Sequence, residues 1–315
     1  MSVYARTLGG CDSRFSAGTD WCAWNNGVME IRHVVFRGSA GVRLAGDARG
    51  EPDAWPVLFL HGGGQTRHAW GRAAEDLAAQ GWQAIVLDLR GHGDSDWATN
   101  GDYSFKAFGA DCAAVVHQLG RPPVLVGASL GGLSAMIAEG ASDQDLSSGL
   151  VLVDITRKAN SDGIRRITEF MKTGIDGFDS LDEAAAAIAA YTPQRVREVN
   201  RAGLAKVLRN RNGRWYWHWD PSFMEQSHTE VLSEAFANLL GAAARNIHVP
   251  TMLVRGLLSD VVTQDGVDDL LARIPGAEIV DVRDASHMIA GDQNDAFSDA
   301  VVAFLRNRIE PTARM

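Results

Sequence analysis

Cysteine, long apolar runs and an excess of basic charge are all scarce or missing in this chain of 315 residues. The three cysteines, Cys11, Cys22 and Cys112, are odd in number and lack metal-site spacing. They exclude a disulfide framework and favour reduced thiols in a cytoplasmic protein. No apolar run is long enough to span a bilayer, so we expect no membrane segment. A net charge of −9 argues against a general nucleic-acid binder.

The start of the chain differs in composition from the rest. Residues 1–28 are rich in Gly, Ser, Asp and Asn and carry no motif, and strand-like alternation begins only after Met29. They also lack the basic region and apolar segment of a secretory signal. We expect an N-terminal extension over 1–28, an α/β core over 29–154 and 249–315, and a helical cap over 155–248.

Short runs rich in Val and Leu alternate with helix-like segments on both sides of the predicted cap. The runs lie at 57–60, 83–88, 123–128, 150–154, 251–255 and 278–282. Strands separated by helices in this rhythm form a mostly parallel, doubly wound sheet with both faces covered. Within 155–248 the rhythm stops and the pattern is helical, which predicts an insertion of helices into an α/β fold.

The run at 123–128 leads directly into Gly127-Ala128-Ser129-Leu130-Gly131, and an apolar helix-like segment follows. A strand, a sharp turn and a helix are the context of a nucleophile elbow. Ser129 would then have strained backbone angles, while Gly127 and Gly131 leave room for the strand and the helix to approach. The pattern therefore predicts Ser129 as a nucleophile at the positive end of a helix.

Five stretches together resemble the α/β-hydrolase fold superfamily, over about residues 30–308. They are His61-Gly62-Gly63-Gly64, Asp88-Leu89-Arg90-Gly91-His92-Gly93-Asp94-Ser95, Gly127-Ala128-Ser129-Leu130-Gly131-Gly132, Arg255-Gly256-Leu257-Leu258-Ser259-Asp260 and Ala285-Ser286-His287-Met288. The resemblance implies the serine-nucleophile branch, which includes esterases and cofactor-free haloperoxidase-like hydrolases. It also implies a helical cap inserted after the sixth strand.

A serine nucleophile needs a base within hydrogen-bond reach. Of the nine histidines, His287 is the best candidate because it follows a strand in the loop before the last helix. His61 and His92 lie in glycine-rich loops, where such a side chain is expected to brace the backbone.

The third member of a triad is an acid that orients the histidine. Asp260 ends a strand and begins a loop, and the order Ser129, Asp260, His287 is the order of the fold that the chain resembles. Asp154 also ends a strand, and some members of the superfamily take their acid there. We expect Asp260 to be the acid, with Asp154 as the alternative.

An oxyanion hole needs backbone N–H groups that point at the developing negative charge. The N–H of Leu130, just after the nucleophile, and that of Gly63, with Gly64 adjacent, are the expected donors. The glycine-rich loop lacks the lysine of a phosphate-binding loop and the glycine spacing of a dinucleotide site. No pair of His, Cys, Asp or Glu suggests a metal, so we expect neither a metal nor a cofactor.

The predicted cap holds an aromatic stretch around Trp215, Trp217 and Trp219. These rings would suit a substrate with an apolar or aromatic portion, or they form the core of the cap itself. His218 and His228 also fall in the predicted cap. They are candidates for contact with substrate, but we do not expect either to be the base.

The resemblance implies a serine hydrolase that cleaves a small-molecule carboxylic ester or lactone through an acyl-enzyme. Serine at the elbow argues against epoxide hydrolases and haloalkane dehalogenases, which use aspartate there. Perhydrolase or haloperoxidase-like chemistry and carbon–carbon bond hydrolysis are the enzymatic alternatives, and a ligand receptor on the same fold is the non-enzymatic one. We expect the protein to bind a small-molecule substrate and to bind neither nucleic acid nor a membrane. Whether it forms a homodimer is left open by the sequence.

Overall fold

Eight strands form the central sheet of the computed structural model, which describes residues 30–191, 203–204, 207–283, 285, 287 and 294–309. The strands of the chain are β1 (Arg32–Arg37), β2 (Arg43–Arg49), β3 (Pro56–Leu60), β4 (Gln83–Leu87), β5 (Val124–Ala128), β6 (Gly149–Val153), β7 (Leu208–Arg211), β8 (Arg214–Trp217), β9 (Thr251–Gly256) and β10 (Glu278–Val282). The extension predicted over 1–28 and the side chain of His228 lie outside the described residues.

The strand order in the large sheet is β1-β2-β4-β3-β5-β6-β9-β10. β2 runs antiparallel to β1 and β4, and every other neighbouring pair is parallel. The predicted mostly parallel, doubly wound α/β fold is confirmed. Because parallel strands end at one edge, the loops after β3, β5, β6, β9 and β10 come together there.

Some helices cover the two faces of this sheet, and others lie in the segment between β6 and β9. They are α1 (Gly71–Ala78), α2 (Phe105–Gln118), α3 (Leu130–Gly140), α4 (Ser161–Lys172), α5 (Leu181–Tyr191), α6 (Pro221–Val231), α7 (Glu234–Arg245), α8 (Gln264–Arg273) and α9 (Asn294–Phe304). Short 3-10 turns lie at Ser39–Gly41 and Arg67–Trp70, and a π turn at Leu305–Ile309 ends the described chain. No helix of the described ranges has the length and apolar character needed to cross a membrane.

The core consists of two apolar clusters, one on each face of the sheet. Along β3, Leu58 and Leu60 join one cluster while Val57 and Phe59 join the other, because successive side chains of a strand point to opposite faces. Every residue of β3 is buried, as expected for a strand covered on both sides. α2, α3 and α7 pack on the first face, and α1 and α9 on the second.

The segment between β6 and β9 contains α4, α5, α6 and α7, and also a small antiparallel sheet of β7 and β8 that the sequence pattern did not predict. α7 packs on α3, since a Cβ on Gly140 would lie 2.4 Å from the backbone of Ala243. Asn246 Nδ2 also donates to the Gly140 carbonyl oxygen at 3.0 Å. α7 therefore covers the sheet beside α3, although it falls within the range that we predicted for the cap.

Candidate active site

Ser129 occupies the sharp turn between β5 and α3. Its backbone angles are φ 45° and ψ −113°, in a region that residues other than glycine rarely adopt. A Cβ on Gly127 would lie 2.5 Å from the Gly131 backbone, and one on Gly131 would lie 2.2 Å from the Leu60 carbonyl oxygen. The predicted turn and the need for both glycines are confirmed. The hydroxyl is thereby presented at the N-terminal end of α3.

A large cavity opens beside Ser129, with a volume of about 1030 Å³. Both Ser129 and His287 contribute to its wall, so the predicted nucleophile and base share one chamber. Within the described residues, Ser129 Oγ makes no hydrogen bond. No hydrogen bond to a described residue therefore ties up this hydroxyl.

The carboxylate that contacts His287 belongs to Asp154. Its Oδ2 accepts a hydrogen bond from His287 Nδ1 at 2.8 Å, and its Oδ1 accepts the Gly256 N–H at 3.1 Å. The Ser259 hydroxyl also donates to Oδ2. Asp154 is fully buried, just beyond β6, and its φ of 48° turns the chain so that the side chain lies under the loop of His287.

Asp260, which we predicted as the partner of His287, is placed elsewhere, and that part of the prediction is wrong. Its carboxylate forms an ion pair with Arg166 of α4 and is partly exposed. The loop after β9 does lie beside that of His287, because the Leu258 N–H donates to the Ala285 carbonyl oxygen at 2.9 Å. In this loop, however, the side chain that reaches the site is that of Ser259.

Ser259 is a site residue that the sequence reasoning missed. A single hydroxyl in a loop belongs to no motif, and both Asp154 and Asp260 follow a strand, so strand position could not separate them. The signal that was available is the pair of polar residues at 259 and 260, either of which could have faced inward. Only one of two neighbouring side chains in a tight turn points to the sheet edge.

Gly63 and Leu130, whose N–H groups we predicted as the oxyanion donors, lie next to each other. A Cβ on Gly63 would be 4.0 Å from the Cβ of Leu130, and one on Gly62 would be 3.6 Å from the Cβ of Ser129. No acceptor for either N–H occurs among the described residues. The Gly64 N–H, by contrast, donates to His92 Nε2 at 3.2 Å, which leaves Gly63 and Leu130 as the free pair.

His92 and His218 hold Gly64 from two sides. His218 Nε2 donates to the Gly64 carbonyl oxygen at 3.2 Å, while its Nδ1 accepts the Gly93 N–H at 2.7 Å. His92 Nδ1 donates to the Arg90 carbonyl oxygen at 2.9 Å. Burial lowers the pKa of His92 to about 3, with the charge of His61 acting in the same direction. Both rings are therefore neutral braces of the glycine-rich loop, one from the core and one from the inserted segment.

His61 braces the same loop from beneath. Its Nε2 accepts the Leu89 N–H at 3.0 Å and its Nδ1 donates to the Gly62 carbonyl oxygen at 2.8 Å. Burial lowers the pKa of His61 to about 4. Both ring nitrogens are occupied, so His61 has the bracing position that we predicted and cannot act as a base at Ser129.

The inserted segment is tied to the core next to His218. The Asp220 N–H donates to the Gly91 carbonyl oxygen at 2.9 Å, and the Asp220 carboxylate accepts the Tyr103 hydroxyl at 2.6 Å. Burial, together with this hydrogen bond, raises the pKa of Tyr103. The β8–α6 junction is thereby fixed to the segment from Gly91 to Tyr103, which includes the His92 that braces the glycine-rich loop.

The cavity wall is mainly apolar. Trp217 and Trp219 both line it, and their rings stack with centroids 4.8 Å apart. Trp215, the third predicted ring, does not line the cavity, and its backbone pairs with that of Phe178. The other large apolar side chains of the wall include Ile155, Ile164, Ile167, Phe170, Met171, Phe223, Met224, Phe236 and Leu240.

The Lys and Arg side chains on the described part of this wall are both in ion pairs. Arg157 pairs with Asp269 at 2.7 Å, and Lys158 pairs with Asp265 at 3.2 Å. No group of three or more His, Cys, Asp or Glu that could hold a metal is found in the described part of the chain. The chamber therefore offers an apolar surface and hydrogen-bonding groups rather than a free cation.

Comparison with known proteins places the chain among the hydrolases. The model of the "Alpha/beta hydrolase family" matches residues 57–300. The chain is 30% identical to esterase Rv0045c of Mycobacterium tuberculosis over 294 residues, which cover 90% of this chain and 92% of the relative. It is 26% identical to a 3-hydroxybutyrate-oligomer hydrolase of Cupriavidus necator over 257 residues, covering 78% and 87%.

Solved structures show the same fold. A crystal structure of the M. tuberculosis esterase Rv0045c aligns with a TM-score of 0.72 at 29% identity, covering 90% of this chain and 94% of that one. E-2-(acetamidomethylene)succinate hydrolase aligns with a TM-score of 0.74 at 21% identity, covering 89% of this chain and 100% of that one. By the extent of the family match and by its esterase relative, the chain belongs to the alpha/beta hydrolase family.

Proposed function

We propose that the protein is a serine hydrolase that cleaves uncharged carboxylic esters, including lactones, through an acyl-enzyme on Ser129. The observation that carries this proposal is the strained elbow of Ser129 in one chamber with His287, whose Nδ1 is bonded to Asp154. A nucleophile, a base and an acid that orients the base are the parts that acyl transfer requires.

The first half of the reaction forms the acyl-enzyme. His287 takes the proton of the Ser129 hydroxyl while Oγ attacks the ester carbonyl carbon. The carbonyl oxygen becomes negatively charged, and the N–H groups of Gly63 and Leu130 stabilise it. Collapse breaks the bond to the alcohol oxygen, and His287 returns its proton to that leaving alcohol.

The second half repeats these steps with water. His287 takes a proton from the water as its oxygen attacks the acyl carbon, and the same two N–H groups stabilise the negative charge. The bond to Ser129 Oγ then breaks, and the serine recovers a proton from His287. Asp154 stays ionised throughout and stabilises the imidazolium in both halves.

The wall of the chamber supports the choice of substrate class. Apolar side chains around Trp217 and Trp219 would bury an apolar acyl or alcohol group. The ion pairs of Arg157 and Lys158 leave no unpaired Lys or Arg on the described wall to receive a substrate carboxylate. The relative at 30% identity carries the name esterase, which agrees with this class.

A serine-directed probe tests the proposal. A fluorophosphonate should label the protein on Ser129, and p-nitrophenyl esters should be hydrolysed. Ser129→Ala should abolish labelling and lower turnover about a million-fold, as in other triads. Ser142→Ala, a change beyond the end of α3, serves as the matched control and should keep both.

Two results would contradict the proposal. Labelling that persists in Ser129→Ala would place the nucleophile elsewhere. A folded wild-type protein that neither reacts with the probe nor cleaves any ester would favour a ligand receptor on the same fold.

A further inference from the structure

The loop after β9 contributes a hydroxyl to the buried carboxylate of the site. Asp154 accepts three hydrogen bonds: from the Gly256 N–H on Oδ1, and from Ser259 Oγ and His287 Nδ1 on Oδ2. Ser259 and His287 therefore share one oxygen. Any change in the donor at Ser259 must alter the acceptor that His287 sees.

The direction of the Ser259 proton follows from the other contacts of its oxygen. Ser259 Oγ accepts the Val261 N–H at 3.1 Å, so its own O–H is free to donate to Asp154. The backbone of Ser259 is fixed as well, because its N–H donates to the Gly256 carbonyl oxygen at 3.0 Å. Because the backbone is fixed and the oxygen already accepts one hydrogen bond, the hydroxyl proton points at the Asp154 carboxylate.

We propose that Ser259 is a positioning residue of the site, which holds the Asp154 carboxylate against His287 and moderates its negative charge. The inference rests on the proposed function, because Ser259 acts through Asp154 on His287, which is the base of that reaction. Ser259 touches neither the substrate nor the reacting atoms, and it acts through Asp154.

Two consequences follow when the hydroxyl is removed. The carboxylate keeps the Gly256 N–H as its one backbone donor and orients His287 less well, which lowers turnover. Oδ2 also loses a donor that spreads its charge, so it attracts the imidazolium more strongly. Protonation of His287 should then begin at higher pH.

Other charges near the pair are already balanced. Arg255, whose pKa is raised chiefly by its hydrogen bond to Asp281 and also by the charge of Asp154, lies on β9. Asp260 is neutralised by Arg166 on the side of the inserted segment. Neither pair involves the Ser259 hydroxyl, so its removal leaves both in place.

The test compares Ser259→Ala with Ser259→Thr, which keeps the hydroxyl. In Ser259→Ala, turnover should fall about tenfold or more, the size found when a group that orients a functional side chain is lost. The acid limb of the kcat/KM profile should move up by about half a pH unit to one unit. Ser259→Thr should restore both values.

A second measurement does not depend on activity. The imidazole titration of His287, followed by NMR and assigned with His287→Gln, should show its midpoint moved upward in Ser259→Ala. If the alanine variant does not fold, Ser259→Cys replaces it, because the thiol has nearly the same size but is a weak donor. Asp260→Asn, at the neighbouring residue, is the matched control and should leave the midpoint of the His287 titration unchanged.

The outcomes separate the two proposals. An unmoved or lowered midpoint in Ser259→Ala, or one that Ser259→Thr fails to restore, overturns the role of Ser259. A midpoint that moves upward in a protein without esterase activity supports the role of Ser259 and contradicts the proposed function alone.

Discussion

Two sets of histidines flank Ser129, and they differ in burial and in partners. His287 lies at the cavity, slightly exposed, and bonds to a carboxylate through Nδ1. His61, His92 and His218 are buried and bond to backbone groups through both ring nitrogens. A histidine that bridges two backbone groups holds a loop in place, whereas one with a carboxylate on one nitrogen and the other nitrogen free can move protons. Glycine-rich surroundings and chain position alone do not reveal this difference.

The largest expected effect is the loss of turnover when His287, the histidine bonded to a carboxylate, is replaced. His287→Ala should lower turnover about a million-fold, the size typical of a triad member that acts as a unit with its serine. Stability should fall less than in His92→Ala, because the buried Asp154 carboxylate keeps two of its three hydrogen-bond donors. His92→Ala should instead lower the free energy of unfolding by about 1–3 kcal/mol, since it leaves the buried Arg90 carbonyl oxygen without a donor and the half-buried Gly64 N–H without an acceptor.

Ester turnover and urea denaturation of the two variants check this contrast. An equal loss of stability in both would mean that His287 is also a structural brace. Full turnover in a folded His287→Ala would remove it from the reaction.

The next effect concerns the two candidate acids. Asp154→Asn should lower turnover about 10⁴-fold, because the amide stabilises the wrong tautomer of His287 without moving the ring. Asp260→Asn removes only a partly exposed ion pair with Arg166, so turnover should change at most a few-fold and stability by about 1 kcal/mol or less. Turnover of both purified variants decides between them, and the reverse order would return the role of the acid to Asp260.

The last effect is the dependence of the free energy of unfolding on pH, to which the buried histidines contribute. In the unfolded chain they titrate near pH 6.5, but in the folded protein the pKa of His61 is about 4 and that of His92 about 3. Between pH 6.5 and 4 the unfolded state binds protons that the folded state does not. The free energy of unfolding should therefore fall on acidification across this window, by up to about 3 kcal/mol for each histidine.

Urea denaturation at several pH values measures this slope. His92→Gln carries no titratable ring, so it should be less stable at pH 7 but should depend less on pH between 6.5 and 4. A slope equal to that of the wild type would show that carboxylates, not buried histidines, cause the acid sensitivity.

The sequence predicted the sheet and the elbow well because both depend on local patterns. The run at 123–128 is apolar on both faces and ends in two glycines around Ser129, which nothing but a tight strand–helix turn requires. α8 begins at Gln264 because the Thr263 hydroxyl accepts the Gly266 N–H at 3.2 Å and caps the helix, which is again a local signal.

The features that the sequence analysis missed are not recorded in a residue pattern: one is the direction in which a side chain points, and the other is a pair of very short strands. The sequence shows that Asp154 and Asp260 both follow strands, but not that a positive φ at Asp154 turns its carboxylate under His287. β7 and β8 were missed because each has four residues, too few for an alternation to appear. The aromatic residues of β8 fit a strand or a helical core equally well.

The contacts of His218 and Asp220 bear on how the inserted segment of this protein can be exchanged. Both residues belong to the inserted segment, yet His218 holds the glycine-rich loop that carries Gly63, and Asp220 is bonded to Gly91, next to the His92 that braces the same loop. The segment is therefore not an exchangeable module. A chimera that took its insertion from a relative with another substrate preference would lose these supports. It would have to keep the stretch from Trp217 to Asp220, or supply equivalent hydrogen-bonding groups, to retain the shape of the loop that carries Gly63.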